Sequence, residues 1–204
     1  KNVFVIVNLL KRDLFIKKNH VLKQILEYLP KNILENILNV SYVVIFIPIT
    51  KFGIVPRTTS GLIGVFTAPF LHGGIRHLLS NTVPLITLLI VLNTIYPTKT
   101  VAVFLFVTIA GGLLVWIFGR DANHIGASGL IYGLVAFLIV HGILEKKYIP
   151  IGISIAVGIV YGGLIWGIFP SIKSYISWEG HLFGAISGVL IAFLLKNAKT
   201  NIPL

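Results

Sequence analysis

Residues 128–145 read "SGLIYGLVAFLIVHGILE". The run carries no lysine or arginine, and its one acid stands at its last position. A bilayer-spanning helix needs roughly 20 predominantly apolar residues, so this is a short span whose start is expected to lie below the membrane surface. Its opening is unusual, because a serine sits between small residues at the mouth of a segment that otherwise avoids polar chemistry.

The span itself is expected over about 127–144, and five similar runs flank it, at about 36–55, 77–96, 100–119, 149–168 and 180–196. Six spans predict an all-α, polytopic membrane protein. Composition agrees: of 204 residues 56% are hydrophobic and 11% charged, and mean hydropathy is +0.94. A soluble domain carries about 25% charged residues, and half that number leaves too little polar surface to cover a globule in water. There is no cysteine, which excludes disulfides, a thiol nucleophile and thiolate metal ligands. The net charge of +11 could suggest nucleic acid. The basic residues cluster at the ends of hydrophobic runs, however, which is a membrane pattern, and no basic-aromatic surface module accompanies them. No nucleic-acid partner is expected. Val3–Leu10 is too short for a secretory signal and lacks a small-residue cleavage site.

With the N-terminus inside, twelve lysines and arginines fall on the inner side and five on the outer. The positive-inside rule then puts both termini in the cytoplasm of a multi-pass cell-membrane protein. Residues 1–35 form a basic arm in which Val21, Leu22, Ile25, Leu26 and Leu29 make a helical apolar stripe beside lysines. That pattern suits an amphipathic helix on an anionic inner surface, or part of a small cytoplasmic domain. Residues 36–196 form the membrane domain and 197–204 a cytoplasmic tail. The first outer loop, "GIVPRTTSGLIGVFTAPFLHGG" (53–74), is long, apolar and broken by Gly and Pro. A free apolar loop is costly in water, so it is expected to embed in the outer leaflet against the bundle.

Ionisable residues inside spans are costly and point to function. The second, fourth and sixth spans all run from outside to inside. His77 and Asn81 lie in the first turns of the second span, Ser128 opens the fourth, and His181 is in the first turn of the sixth. All four therefore share one depth near the outer face. Gly129 and Gly133, with Gly180, Gly184 and Gly188, make small-residue stripes four apart on the fourth and sixth spans, and such stripes let helices approach closely in lipid. Close approach would bring the Ser128 hydroxyl to the His181 imidazole, which can take its proton during nucleophilic attack. The free amides at the start of the fourth span, with His77 and Asn81, would donate to an oxyanion. Tyr132, one turn below Ser128, could pack under His181. No acidic residue is expected at this depth, since Glu179 and Asp121 read as loop residues, so the constellation is a dyad.

Each residue also has a plainer reading. Glycine stripes serve packing, a serine between glycines fills space, a helix-end histidine sits at an interface, Asn81 bridges helices and Tyr132 joins the core. His124 and His141 read as structural or interfacial. A metal site is the rival for the histidines, but His72 and His77 are five apart, which does not place them on one helical face. No metal is expected. "GASGL" (126–130) is not the hydrolase nucleophile elbow, because position 130 is leucine.

At these residues the chain resembles the rhomboid family of intramembrane serine proteases. The matching elements are His72-x4-His77-x3-Asn81, then Gly126-Ala127-Ser128-Gly129 with Tyr132, then His181 followed by Gly184 and Gly188. The resemblance covers about 36–196. It implies a six-helix rhomboid bundle with Ser128 as nucleophile and His181 as general base. It also implies oxyanion donors at His77, Asn81 and the Ser128 amide, with Tyr132 stacked on His181. It implies no cofactor, a membrane-embedded first loop, and transmembrane protein substrates cut in or next to the membrane. The Trp-Arg pair common in that loop is absent here. A substrate helix must unwind to be cut and water must reach Ser128. A polar cavity bounded by the first loop, residues 169–179 and the glycine-rich fifth span is therefore expected, with the fifth span as a lateral gate. Two other classes stay open: a rhomboid-like pseudoenzyme that binds without cutting, and a small transporter with polar residues through both membrane halves.

Overall fold

The computed structural model describes residues 50–170 and 176–196, all of which belong to one unit, Val44–Leu204. The arm at 1–35, residues 36–49 of the first expected span and the tail at 197–204 lie outside the described residues. The described part is helical. A short helix α1 (Gly64–Thr67) sits in the first loop, followed by α2 (Ile75–Ile95), α3 (Thr100–Phe118), α4 (Ser128–Glu145), α5 (Tyr148–Tyr161) and α6 (Trp178–Lys196). Among the described residues, five helical segments are long and apolar enough to cross a membrane, the fourth of them being α5 with the turns that extend it to Ile168. Their ends agree with the spans read from hydropathy to within about two residues. Hydropathy locates them well because lipid forces each span to satisfy its backbone internally.

The quoted run, α4, is the central helix and packs against α2, α3, α5 and α6. Five consecutive residues, Leu130 to Leu134, are buried in it, as expected of a helix that is apolar all round. With Phe137 of the same helix, Leu88, Leu92, Val103, Val107 and Ala192 from its neighbours complete the core. Outward faces carry bare apolar side chains such as Val83, Phe118 and Ile159.

Backbone meets backbone between α4 and α6. A Cβ at Gly184 would collide with the Gly129 carbonyl oxygen, and one at Gly188 with that of Gly133. The stripes therefore lie in parallel register, 129 and 133 climbing alongside 184 and 188. Side chains at these positions would force the helices apart and separate their first turns.

Two departures from the sequence reading have local causes. The fifth span is not continuous α-helix: beyond Tyr161 it tightens into a 3-10 helix over Gly162–Ile168. Paired glycines at 162 and 163 weaken the α-helix there, and seven residues is long for 3-10 geometry. The first loop, for its part, is anchored without a Trp-Arg pair of its own. Arg57, held at φ 58°, donates to the Gly119 carbonyl at 2.8 Å and pairs with Asp121. Trp116 of α3 donates its indole N–H to the Thr58 carbonyl at 2.8 Å. Ile54, Val65, Ala68 and Leu71 are buried, while Ile63 and Phe66 stay exposed on the loop's other side.

Candidate active site

Ser128 is the first residue of α4, following Ala127, whose methyl group cannot cap the helix. The first amides of a helix have no intrahelical acceptor, so the serine hydroxyl stands beside free N–H donors. Across the glycine interface, His181 Nε2 lies 2.9 Å from Ser128 Oγ. The other ring nitrogen, Nδ1, lies 2.9 Å from the Gly167 carbonyl. A carbonyl only accepts, so Nδ1 carries the proton and Nε2 presents its lone pair to the serine. That is the tautomer a general base needs. Tyr132 lies flat under the imidazole, with ring centroids 4.2 Å apart and planes 4° from parallel.

Gly167 lets this arrangement close, because a Cβ there would strike the Tyr132 hydroxyl and approach His181 Nδ1 to 3.1 Å. In the sequence it is one of several glycines of the fifth span, with nothing local to distinguish it. Gly158, Gly162 and Gly163 have open space around them, and only a fold that folds 167 back onto 181 sets it apart.

His77 and Asn81 project from the first turns of α2. The Gly73 amide approaches His77 Nδ1 at 3.4 Å as donor, which leaves Nε2 protonated. Nε2 and Cε1 press on Gly126, where a Cβ would stand 2.7 and 2.8 Å from them. Gly126 adopts φ 110°, a backbone state that side chains resist, and its own amide donates to the Ala68 carbonyl at 2.8 Å. Asn81 is buried and donates its side-chain amide to the His77 carbonyl at 2.8 Å. Asn81 is thus tied to His77, and His77 abuts Gly126, two residues before Ser128. His72 packs edge-on against His77, centroids 5.0 Å apart. Burial, reinforced by the neighbouring His77, lowers its pKa from 6.5 to about 4.

Other residues fall differently from the sequence reading. Glu179 is not in a loop: it occupies the first turn of α6, is buried, and pairs with Arg120 at 3.4 Å. The Gly167 carbonyl, and not this carboxylate, accepts the hydrogen bond from His181 Nδ1–H. The cavity beside Ser128, about 50 Å³ and so room for on the order of three waters, is walled by the first loop, α3, residues 124–130 and the start of α6. The fifth span, expected as a wall, contributes none of its lining. At the opposite end of the bundle His141 is fully enclosed. It accepts from Lys99 Nζ at 2.7 Å and donates to the Ala192 carbonyl at 3.1 Å, with Glu145 3.4 Å from Lys99. This second polar cluster pairs within itself.

Residues 59–198 match the rhomboid domain as a family. Among curated proteins, an uncharacterized protein of Mycobacterium bovis is 41% identical over 152 residues, 71% of this chain and 63% of that one. An uncharacterized protein of Mycobacterium leprae is 38% identical over 146 residues, 68% of this chain and 58% of that one. A putative rhomboid protein of Acanthamoeba polyphaga mimivirus is 27% identical over 172 residues, 81% of this chain and 92% of that one. The aligned part of the chain thus spans about 63% of the length of the mycobacterial relative it resembles at 41% identity. Helical bundle, glycine interface and family match agree, and this multi-pass membrane chain belongs to the rhomboid family.

Proposed function

We propose that this chain is an intramembrane serine endopeptidase that hydrolyses peptide bonds in or next to transmembrane segments of single-pass membrane proteins. The observation that carries the reading is the 2.9 Å approach of His181 Nε2 to Ser128 Oγ, with Nδ1 engaged by the Gly167 carbonyl.

In this reading His181 takes the Ser128 proton as Oγ attacks the scissile carbonyl carbon. The oxyanion collects hydrogen bonds from the Ser128 amide, His77 Nε2–H and Asn81. Each such donor is worth on the order of 3 kcal/mol in a soluble serine protease. The imidazolium then protonates the leaving amine, and an acyl ester on Ser128 is left behind. Water attacks that ester as His181 accepts its proton, and the imidazolium then returns a proton to Ser128 Oγ as the C–O bond breaks and the carboxylic product leaves. Stacking on Tyr132 holds the imidazole in one plane through both half-reactions.

The site end of the bundle faces outward and both termini face the cytoplasm of the cell membrane. The first loop rests in the outer leaflet, offering Ile63 and Phe66 to lipid. The fifth span, the least enclosed of the five described spans, is the entry side for substrate, and crosslinking it to α2 is expected to stop cleavage of a membrane substrate.

The deciding experiment is labelling by a fluorophosphonate in detergent. The native chain is expected to label, and Ser128→Ala and His181→Ala to stay unlabelled. Labelling that survives in Ser128→Ala would place the nucleophile elsewhere. A native chain that neither labels nor cleaves would favour a binding protein that does not cut.

A further inference from the structure

His124 is buried with 4% of its surface exposed, and the reaction outlined above does not use it. Its backbone exchanges both N–H and C=O bonds with Ile54 of the first loop, each at 2.9 Å. Its ring is fully engaged. Nε2 lies 3.1 Å from the Arg120 carbonyl, which can only accept, so Nε2 carries the proton. Nδ1 is then the acceptor and takes the Ser177 hydroxyl proton at 2.7 Å. The same Ser177 Oγ accepts the Gly180 amide at 3.2 Å, as a cap on the first turn of α6 does. One turn on, the His181 amide donates to the Ser177 carbonyl at 3.3 Å.

Two more ties run from the same short segment to the same turn. Arg120 Nη2 donates to the Ile176 carbonyl at 2.6 Å, and Nε pairs with Glu179 at 3.4 Å. Residues 120–124 lead directly into Ser128, so the segment that delivers the hydroxyl also grips the turn that delivers the imidazole. Glycine packing sets the spacing and register of α4 and α6 along their shared face. The His124–Ser177 bond adds to this a tie on the residue that opens the first turn of α6.

We propose that His124 is a positioning residue that, through the Ser177 hydroxyl, holds the first turn of α6 where the His181 imidazole meets Ser128. The inference rests on the serine-protease reading. A displacement of about 1 Å at a reacting group costs on the order of a hundredfold in rate, so a lost tie here acts on turnover more than on substrate binding.

The test compares His124→Ala, Ser177→Ala and the double variant of the full chain, by cleavage of a membrane substrate and by fluorophosphonate labelling rate. Each single variant is expected to lose at least about tenfold in kcat with KM little changed, and the double variant to be no slower than the slower single. The amide oxygen of His124→Asn falls where Nδ1 stands, so this variant is expected to recover most of the rate. His124→Gln, which reaches only the Nε2 position, is expected to stay slow. Single variants with native kcat, an additive double variant, or an Asn variant as slow as Ala would each overturn the proposal. The Asn arm guards against a mere folding defect, because a variant that fills the cavity no better than Gln recovers only if the hydrogen bond matters. A native chain without activity overturns the protease reading and this inference together; an active native chain with unaffected variants overturns this inference alone.

Discussion

Gly184 and Gly129 face each other across the α4–α6 interface with no room for a methyl group between the 184 Cα and the 129 carbonyl oxygen. Ser128 directly precedes Gly129 and His181 lies one helical turn before Gly184, so packing and chemistry share one register.

Gly184→Ala is therefore expected to cost on the order of 1–3 kcal/mol through overpacking and to slow labelling of Ser128 at least tenfold. Gly152→Ala, where a new methyl meets open space, is expected to leave both unchanged. Thermal unfolding and labelling rate, measured side by side in detergent, check the pair.

Asn81→Ala and Asn81→Asp both remove a donor, and the second preserves shape. Each is expected to lower kcat by on the order of a hundredfold, as loss of one oxyanion donor does, with little change in KM. An Asp variant with native kcat would show that neither an oxyanion bond from Asn81 nor the bond it donates to the His77 carbonyl limits turnover.

Gly167→Ala drives a methyl group into the Tyr132 hydroxyl and against His181 Nδ1. The expected result is a folded chain with cleavage reduced at least tenfold, partly recovered in Gly167→Ala with Tyr132→Phe, which makes room. Steady-state cleavage of one membrane substrate by the three chains is the measurement.

His72 supplies an acid limit to stability. Its pKa of about 4 lies below the ordinary 6.5, so between those values the unfolded chain binds more protons than the folded one. Stability from the neutral ring is complete above pH 6.5 and is lost as pH falls towards 4. His72→Gln is expected to flatten this slope, read as the unfolding midpoint against pH.

Hydropathy alone determined the five described spans, because lipid leaves a chain few ways to satisfy its backbone and the apolar runs carry that constraint locally. The shared depth of His77, Asn81, Ser128 and His181 was legible for the same reason, as was the glycine register that draws the fourth and sixth spans together. The tertiary structure decided what depends on pairs far apart in sequence. The Gly167 carbonyl that selects the His181 tautomer, the His124–Ser177 bond, the burial of Glu179 beside Arg120 and the Lys99–His141 cluster all join segments through loops. Loop paths follow packing and hydrogen-bond satisfaction across the whole bundle, and no local periodicity records them.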